Sequence, residues 1–203
     1  MSYFENGSIN LKLVFSQPIF EVETKVIDYD KLKELIKEKR KIDDGEFKSN
    51  YGGWHSSDLL KDDNFKPFIE TLWEEIFNSL YPSVIRGGYR FIITNAWINI
   101  NSKNNYNVTH VHSECDMSGV LYVDANKSSS INFENQSLVF SQTRLDDRVT
   151  EKFKENHGFC SNIAYSPKDG IMLLFPSYLH HSVYPNLSDT ERISISFNIR
   201  FDK

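Results

Sequence analysis

The sequence predicts an α+β fold built on an antiparallel β-sandwich or barrel, and three observations carry that expectation. Two helical patterns stand in the first half of the chain, a succession of strand-like segments fills the rest, and the two types never alternate as a parallel β/α fold requires. The 203 residues suffice for one domain with a substantial core, and an aromatic content of 14% belongs to a packing chain rather than a disordered one. No internal repeat or linker divides the sequence. It therefore reads as a single domain over 1–203, with a helical support region at 1–88 and a strand-rich core at 89–203.

Taken in order, Leu11 to Phe15 and Ile19 to Glu21 have extended character around Pro18, which cannot donate to a ladder. Asp28 or Asp30 is placed to cap a helix over about Lys31 to Lys39, where Leu32, Leu35 and Ile36 share one face. Asp43 to Asp58 holds Gly45, Gly52 and Gly53 without a helical period and reads as a loop. The clearest helix is Phe65 to Leu80: Phe65, Phe68, Ile69, Leu72, Trp73, Ile76, Phe77 and Leu80 recur at helical spacing, and Pro67 sits in the first turn. Strand candidates follow at Tyr89 to Asn101, Gly119 to Val123, Ser130 to Phe133, Ile163 to Tyr165, Ile171 to Phe175 and Ile193 to Phe201. The last alternates cleanly, with Ile193, Ile195, Phe197, Ile199 and Phe201 on one side and Ser194, Ser196, Asn198 and Arg200 on the other. Gln136 to Asn162 is a long polar excursion of the kind that forms lids or binding loops, and its Arg144, Arg148 and Lys152 are candidate grips for an anionic substrate.

The net charge of −5 offers no general attraction to a phosphate backbone. Two cysteines, Cys115 and Cys160, make no disulfide framework. No apolar run is long enough to span a bilayer, and the first residues lack the basic and apolar regions of a signal peptide. The expected location is the cytoplasm (a host cytoplasm, if the gene is carried by a phage), with no membrane partner.

Chemistry concentrates in the histidines. Of six, four fall in the pairs His110-Val111-His112 and His180-His181. In a strand, residues i and i+2 point to one face, so His110 and His112 can offer nitrogens to one metal, and the later pair can complete the set. Glu114 and Asp116 follow closely, and two histidines with a carboxylate make the facial triad of non-haem iron oxygenases. Incidental strand histidines share the same spacing, and so do cupins and zinc enzymes. Downstream, Arg192-Ile-Ser194 opens the last strand. An arginine there can hold a carboxylate bidentately, with the hydroxyl of Ser194 on the same face; the plainer alternative is a structural pair with Asp189 or Glu191. Ser182 beside His181 lacks the strained elbow of a serine hydrolase. Gly52-Gly53-Trp54 reads as a tight turn with a packing tryptophan, not as a phosphate loop.

These segments together resemble the 2-oxoglutarate- and Fe(II)-dependent oxygenase superfamily, and within it a subgroup of uncharacterised phage and bacterial members. The matching stretches are Trp97-Ile-Asn99, His110-Val-His112, Ser118-Gly-Val-Leu-Tyr122-Val, Leu173-Leu-Phe-Pro-Ser177, His181 and Arg192-Ile-Ser-Ile-Ser-Phe-Asn198, with an upstream block from Ser49 to Leu59 around Trp54. The resemblance implies a double-stranded β-helix, or jelly-roll, with cupin-like geometry and N-terminal supporting helices. Its cofactors would be Fe(II) and 2-oxoglutarate, used with O2 to hydroxylate a primary substrate, such as a protein side chain or a nucleic-acid component, while 2-oxoglutarate is decarboxylated to succinate. Carried over by position, His110 and His112 stand at the proximal ligand strand and His181 at the distal one. Arg192, Ser194 and Tyr122 would receive the 5-carboxylate of 2-oxoglutarate, and Asn99, His180, Trp54 and Asn198 would surround the site or its mouth.

The chain departs from the usual His-x-Asp/Glu motif by reading His-x-His, and Ser113 stands where the subgroup usually has Pro. Either His110, His112 and His181 form a three-histidine centre, or His112 and Glu114 are the proximal pair with His110 behind them. The first is preferred, with Glu114 and then Asp116 as carboxylate alternatives. Two other functions compete: a catalytically idle jelly-roll acting as a binding or virion-associated module, and a cupin-like metalloprotein without 2-oxoglutarate.

Overall fold

Alternating side chains sort the strands into two antiparallel sheets, and the helices cover the outer face of one of them. The computed structural model describes residues 17–81, 90–125, 129–135 and 162–202. The expectations for Leu11 to Phe15, for Cys160 and for nearly all of the polar excursion, with Arg144, Arg148 and Lys152, fall outside those residues. In chain order the elements are β1 (Phe20–Glu23), α1 (Tyr29–Ile42), β2 (Asn50–Tyr51), β3 (Trp54–His55), α2 (Lys66–Leu80), β4 (Arg90–Asn101), β5 (Tyr106–His110), β6 (Met117–Asp124), β7 (Ile131–Glu134), β8 (Asn162–Tyr165), β9 (Ile171–Pro176), β10 (His180–Val183) and β11 (Arg192–Asp202). Two short 3-10 turns, Leu59–Lys61 and Asp63–Phe65, precede α2.

The larger sheet runs β1-β9-β6-β11-β4-β3 and the smaller β2-β5-β10-β7-β8. Every pairing is antiparallel, as the absence of βα alternation requires. Two facing sheets of this kind, with helices on one side, realise the expected jelly-roll.

Both helices form for local reasons. Asp28 Oδ1 accepts the Lys31 backbone N–H at 3.1 Å and caps α1, whose last turn carries Lys39, Arg40 and Lys41 against the negative end of the helix dipole. In α2, Phe68, Leu72, Ile76 and Leu80 are buried at helical spacing. They pack with Leu32 and Ile36 of α1 on Ala96, Ile98, Leu121, Leu174, Ile195, Phe197 and Ile199, which makes the helix-to-sheet core. A second core of Val120, Tyr122, Ile131, Phe133, Leu173, Phe175 and Leu179 fills the space between the sheets.

Central strand β11 divides the two layers. Ile195, Phe197 and Ile199 face the helices, so the alternating Arg192, Ser194, Ser196 and Asn198 face the other sheet. Gly119 of β6 lies directly opposite Phe197. A Cβ at Gly119 would run into the Phe197 ring and come within 2.8 Å of Leu174 Cδ2. Gly119→Ala is therefore expected to destabilise the fold by about 1–3 kcal/mol through overpacking. The urea midpoint reads this directly, and an unchanged midpoint would show that Phe197 can yield.

Two expectations change at the level of elements. The stretch Asp43 to Asp58 is not all loop, because β2 and β3 lie within it and join opposite sheets across a turn at Gly52, whose φ of +75° suits glycine. Strands β5 and β10, which carry histidines, are short and polar, and neither stood among the strand candidates.

Candidate metal centre

Strands β5 and β10 pair so that His181 lies directly opposite His110, and His112 follows two residues later. The potential ligand nitrogens of His110, His112 and His181 all lie within 4.8 Å of one another. Among the described residues these three form the group of histidine, cysteine and carboxylate side chains that could share one ion.

Hydrogen bonding has already oriented two of the rings. His110 Nδ1 lies 2.8 Å from the Val108 carbonyl and His181 Nδ1 lies 2.8 Å from the Leu179 carbonyl. A carbonyl only accepts, so each Nδ1 carries the proton and each Nε2 keeps its lone pair for an ion. The His112 backbone N–H donates to the Ser177 carbonyl at 2.9 Å, which fixes the loop that presents the third ring.

Burial keeps all three rings uncharged. It pushes His181 down to about 3 and His112 to about 4, with His110 adding to both, and it lowers His110 as well. Neutral imidazoles are what a metal ion needs. The same shifts make a stability prediction for the metal-free protein. An unfolded histidine titrates near 6.5, so on acidification the unfolded chain takes up protons that the folded site refuses. The depressed folded values leave stability complete above pH 6.5 and remove it as pH falls toward 4, by at most about 1.4 kcal/mol per ring for each pH unit. Urea unfolding without metal is expected to give a clearly lower midpoint at pH 5 than at pH 7.5. Equal midpoints would mean that the rings are free to charge.

The remaining predicted residues separate into those that join this centre and those that do not. Glu114 and Asp116 are exposed. Asp116 Oδ2 accepts the Phe201 backbone N–H at 2.7 Å, which turns its carboxylate toward the end of β11, and neither acid belongs to the histidine group. His180 pairs with Glu134 and, by strand alternation, faces away from His181. Burial raises the Cys115 thiol, which is not part of the group either. Trp54, for which the resemblance implied the mouth and the residues themselves a packing role, takes the packing role on the other face of β3: its Nε1–H donates to the Asp43 carbonyl at 3.0 Å, the Arg40 guanidinium covers its ring, and it packs into the helix-to-sheet core. Its neighbour His55 faces the cavity instead, a residue that the sequence reading passed over.

Arg192 is 2% exposed and has no counter-ion among the described residues. The candidate structural partners are engaged elsewhere, Asp189 with Lys103 Nζ at 2.7 Å and Glu191 with Ser102 Oγ at 2.9 Å. Arg192 instead donates to Ser129 Oγ at 3.2 Å and Ser194 Oγ at 2.9 Å, and its guanidinium lies 5.6 Å from the Tyr122 ring centre. Its Nε, the Tyr122 hydroxyl and Asn99 Oδ1 are buried without hydrogen-bond partners among the described residues. Burial pushes the Tyr122 phenol up to about 12 against the pull of the Arg192 cation, so it stays protonated and able to donate. A buried cation with two orphaned donors, its own Nε–H and the Tyr122 hydroxyl, is a site built for an anion. Ser129 carried no signal in the sequence.

Tyr122, Ser194 and Asn99 lie side by side on three adjacent strands, β6, β11 and β4. One narrow cavity is lined by Asn99, Tyr122 and Arg192 as well as by the three histidines, with Val120, Ile131 and Phe175 as apolar wall. Outside it a larger cavity of about 670 Å³ opens past His110 and His112 to Lys48, His55, Trp97 and Asn198. Its size matches a small-molecule or side-chain site. Asn198 accepts the Ser118 hydroxyl at 2.8 Å and so sits at this mouth with its amide N–H2 uncommitted to that bond.

The fold and this site define a jelly-roll with a metal-competent histidine cluster beside an anion pocket. Residues 95–198, just over half of the chain, match the model of the family described as "Putative 2OG-Fe(II) oxygenase", and the chain belongs to that family. Fe(II) and 2-oxoglutarate are its cofactors. A search of the curated proteins gives no match. Similar solved structures include the non-haem alpha-ketoglutarate-dependent carbocyclase SnoK from nogalamycin biosynthesis, at 10% identity and TM-score 0.61 over 90% of this chain and 79% of that one. HygX from Streptomyces hygroscopicus, with nickel and 2-oxoglutarate bound, gives 13% identity and TM-score 0.60 over 91% and 83% of the two chains. A Pseudomonas putida prolyl-4-hydroxylase gives 13% identity and TM-score 0.56 over 91% and 93%. At such identities the likeness is one of fold. No helix of the described residues is long and apolar enough to cross a membrane.

Proposed function

We propose that this protein is a 2-oxoglutarate- and Fe(II)-dependent dioxygenase that hydroxylates a C–H bond of a substrate entering through the outer cavity. The observation that carries the reading is Arg192, a buried cation without a counter-ion among the described residues, on the same cavity as three neutral imidazoles. An idle binding module gains nothing from such a desolvated charge, and a cupin-like centre without 2-oxoglutarate leaves it unexplained.

In this reading His110, His112 and His181 hold the iron, two of them through Nε2 atoms freed by the Val108 and Leu179 carbonyls. Arg192, with the Ser194 and Tyr122 hydroxyls, receives the 5-carboxylate of 2-oxoglutarate. Bound together, iron and cosubstrate supply oxygen activation and C–H oxidation, coupled to release of succinate and CO2. The protein's own part is orientation and dryness. Val120, Ile131 and Phe175 keep water from the inner cavity, Asn99 lines it with its amide N–H2 donating to Ser196 Oγ, and Trp97 and Asn198 border the way in. The whole chain acts as one domain in which the helices support the larger sheet from outside.

The test is anaerobic titration of the metal-free protein with Fe(II) and then 2-oxoglutarate, following the visible charge-transfer band of the chelate. Saturation near one equivalent supports the assignment. Iron binding without a band points to the cupin-like alternative, and no binding of either points to the idle module.

A further inference from the structure

The three histidine rings are fixed in two different ways. His110 and His181 are each tied by Nδ1–H to a carbonyl two residues back. No hydrogen bond reaches the His112 ring among the described residues. It stacks instead, with centroids 5.2 Å from His181 at an interplanar angle of 9° and 5.7 Å from Trp97 at 29°. Trp97 in turn stacks on His55 at 5.3 Å and 13°. His55 is anchored where it stands. Its Nδ1–H donates to the Ser56 carbonyl at 2.9 Å, and Ser56 exchanges backbone and side-chain hydrogen bonds with Ile98 at 3.0 and 2.9 Å. Asp43 Oδ2 accepts both the N–H and the hydroxyl of Ser57 next in line.

We propose that Trp97, braced by His55, is the positioning residue for His112, its stacking taking the place of the hydrogen bond that orients the other two ligands. The proposal rests on the three-histidine reading above. A histidine ring without a hydrogen bond rotates in a broad, shallow well about its outer torsion, so its nitrogen points at an ion only part of the time. An offset-stacked neighbour on each side restricts the ring plane without choosing a tautomer. His112 therefore differs from its partners: its plane is set in advance, while the ion itself selects which nitrogen is deprotonated. The ring stack also joins the outer cavity to the centre, because His55 and Trp97 line that cavity and His112 lines both.

Co(II) binding to the full chain tests this, with affinity and the visible ligand-field bands as readouts and the melting temperature of the metal-free protein as the folding control. Trp97→Leu is expected to weaken Co(II) about 10- to 100-fold, the range for losing a partner that orients a ligand, and to shift the bands. Trp97→Phe, which keeps a ring, is expected to recover most of the affinity. In a His112→Ala background Trp97→Leu should cost nothing further, since its effect passes through the missing ring. An equal loss in both backgrounds, or wild-type affinity and bands in Trp97→Leu, overturns the proposal. His112→Ala with undiminished Co(II) affinity overturns the three-histidine reading itself, and the positioning role with it.

Discussion

Replacing His181 with alanine is expected to abolish metal binding, lowering affinity by more than about 100-fold, beyond the usual cost of losing a residue that merely orients a ligand. His181 is the most buried of the three rings, at 4% exposure, and it touches both others, with centroids 4.3 Å from His110 and 5.2 Å from His112. Its removal deletes one donor and one face of the stack that holds a second. The fold should tolerate the change, because the substitution opens space on a cavity wall and leaves the β10 ladder intact. Isothermal titration with Fe(II) or Co(II), beside a thermal melt, reads both effects. His180→Ala is the matched control: same strand, adjacent residue, opposite face, and no change in affinity expected. Glu114→Ala and Asp116→Ala are likewise expected to leave metal binding in place, since neither carboxylate joins the cluster. Retained binding in His181→Ala would mean that some other residue supplies the distal ligand.

The legible parts of this molecule were those in which a period and a burial pattern coincide. Helix α2 announces itself because Phe68, Leu72, Ile76 and Leu80 all bury one stripe, and β11 because its apolar and polar residues divide between two layers. Strands β5 and β10 escaped the same test for a physical reason. They are stabilised by pairing to each other, and β10 by β7 as well, while their side chains serve the cavity rather than a core. What betrayed them was chemistry, since His-x-His and a second histidine pair need an extended backbone to converge. The exchange of Trp54 for His55 has a similar origin. The tryptophan stands out by composition, but a two-residue strand shows only one side chain to each face, and nothing in the sequence says which. Only the pairing of His55 with Asn99, and of Trp54 with Ile100, decides it. Likewise the lack of a carboxylate on Arg192 among the described residues could not be read from a sequence that places Asp189 and Glu191 so close. Lys103 and Ser102 claim those acids in the folded chain.

Arg192→Met is expected to separate stability from function. Among the described residues the guanidinium of the metal-free protein is buried with two serine hydroxyls for partners and no carboxylate, so burial works against its charge and lowers its pKa. Exchanging such a charge for an apolar side chain of similar length is neutral or stabilising by about 1–3 kcal/mol. With 2-oxoglutarate the sign reverses. A desolvated arginine paired with a carboxylate is worth about 2–5 kcal/mol to the complex, so the variant is expected to lose about 30- to 5,000-fold in 2-oxoglutarate affinity. Fe(II) affinity should stay within about threefold of wild type, because Arg192 is not among the ligand group. Arg192→Lys should not rescue, since an ammonium cannot reproduce the planar fork. The charge-transfer titration, run beside urea unfolding of the metal-free protein, measures both halves. A variant that binds 2-oxoglutarate normally would remove Arg192 from the cosubstrate site. One that loses stability as well as binding would show that the buried cation is a structural element with a partner of its own, and the case for an anion pocket between the sheets would fall with it.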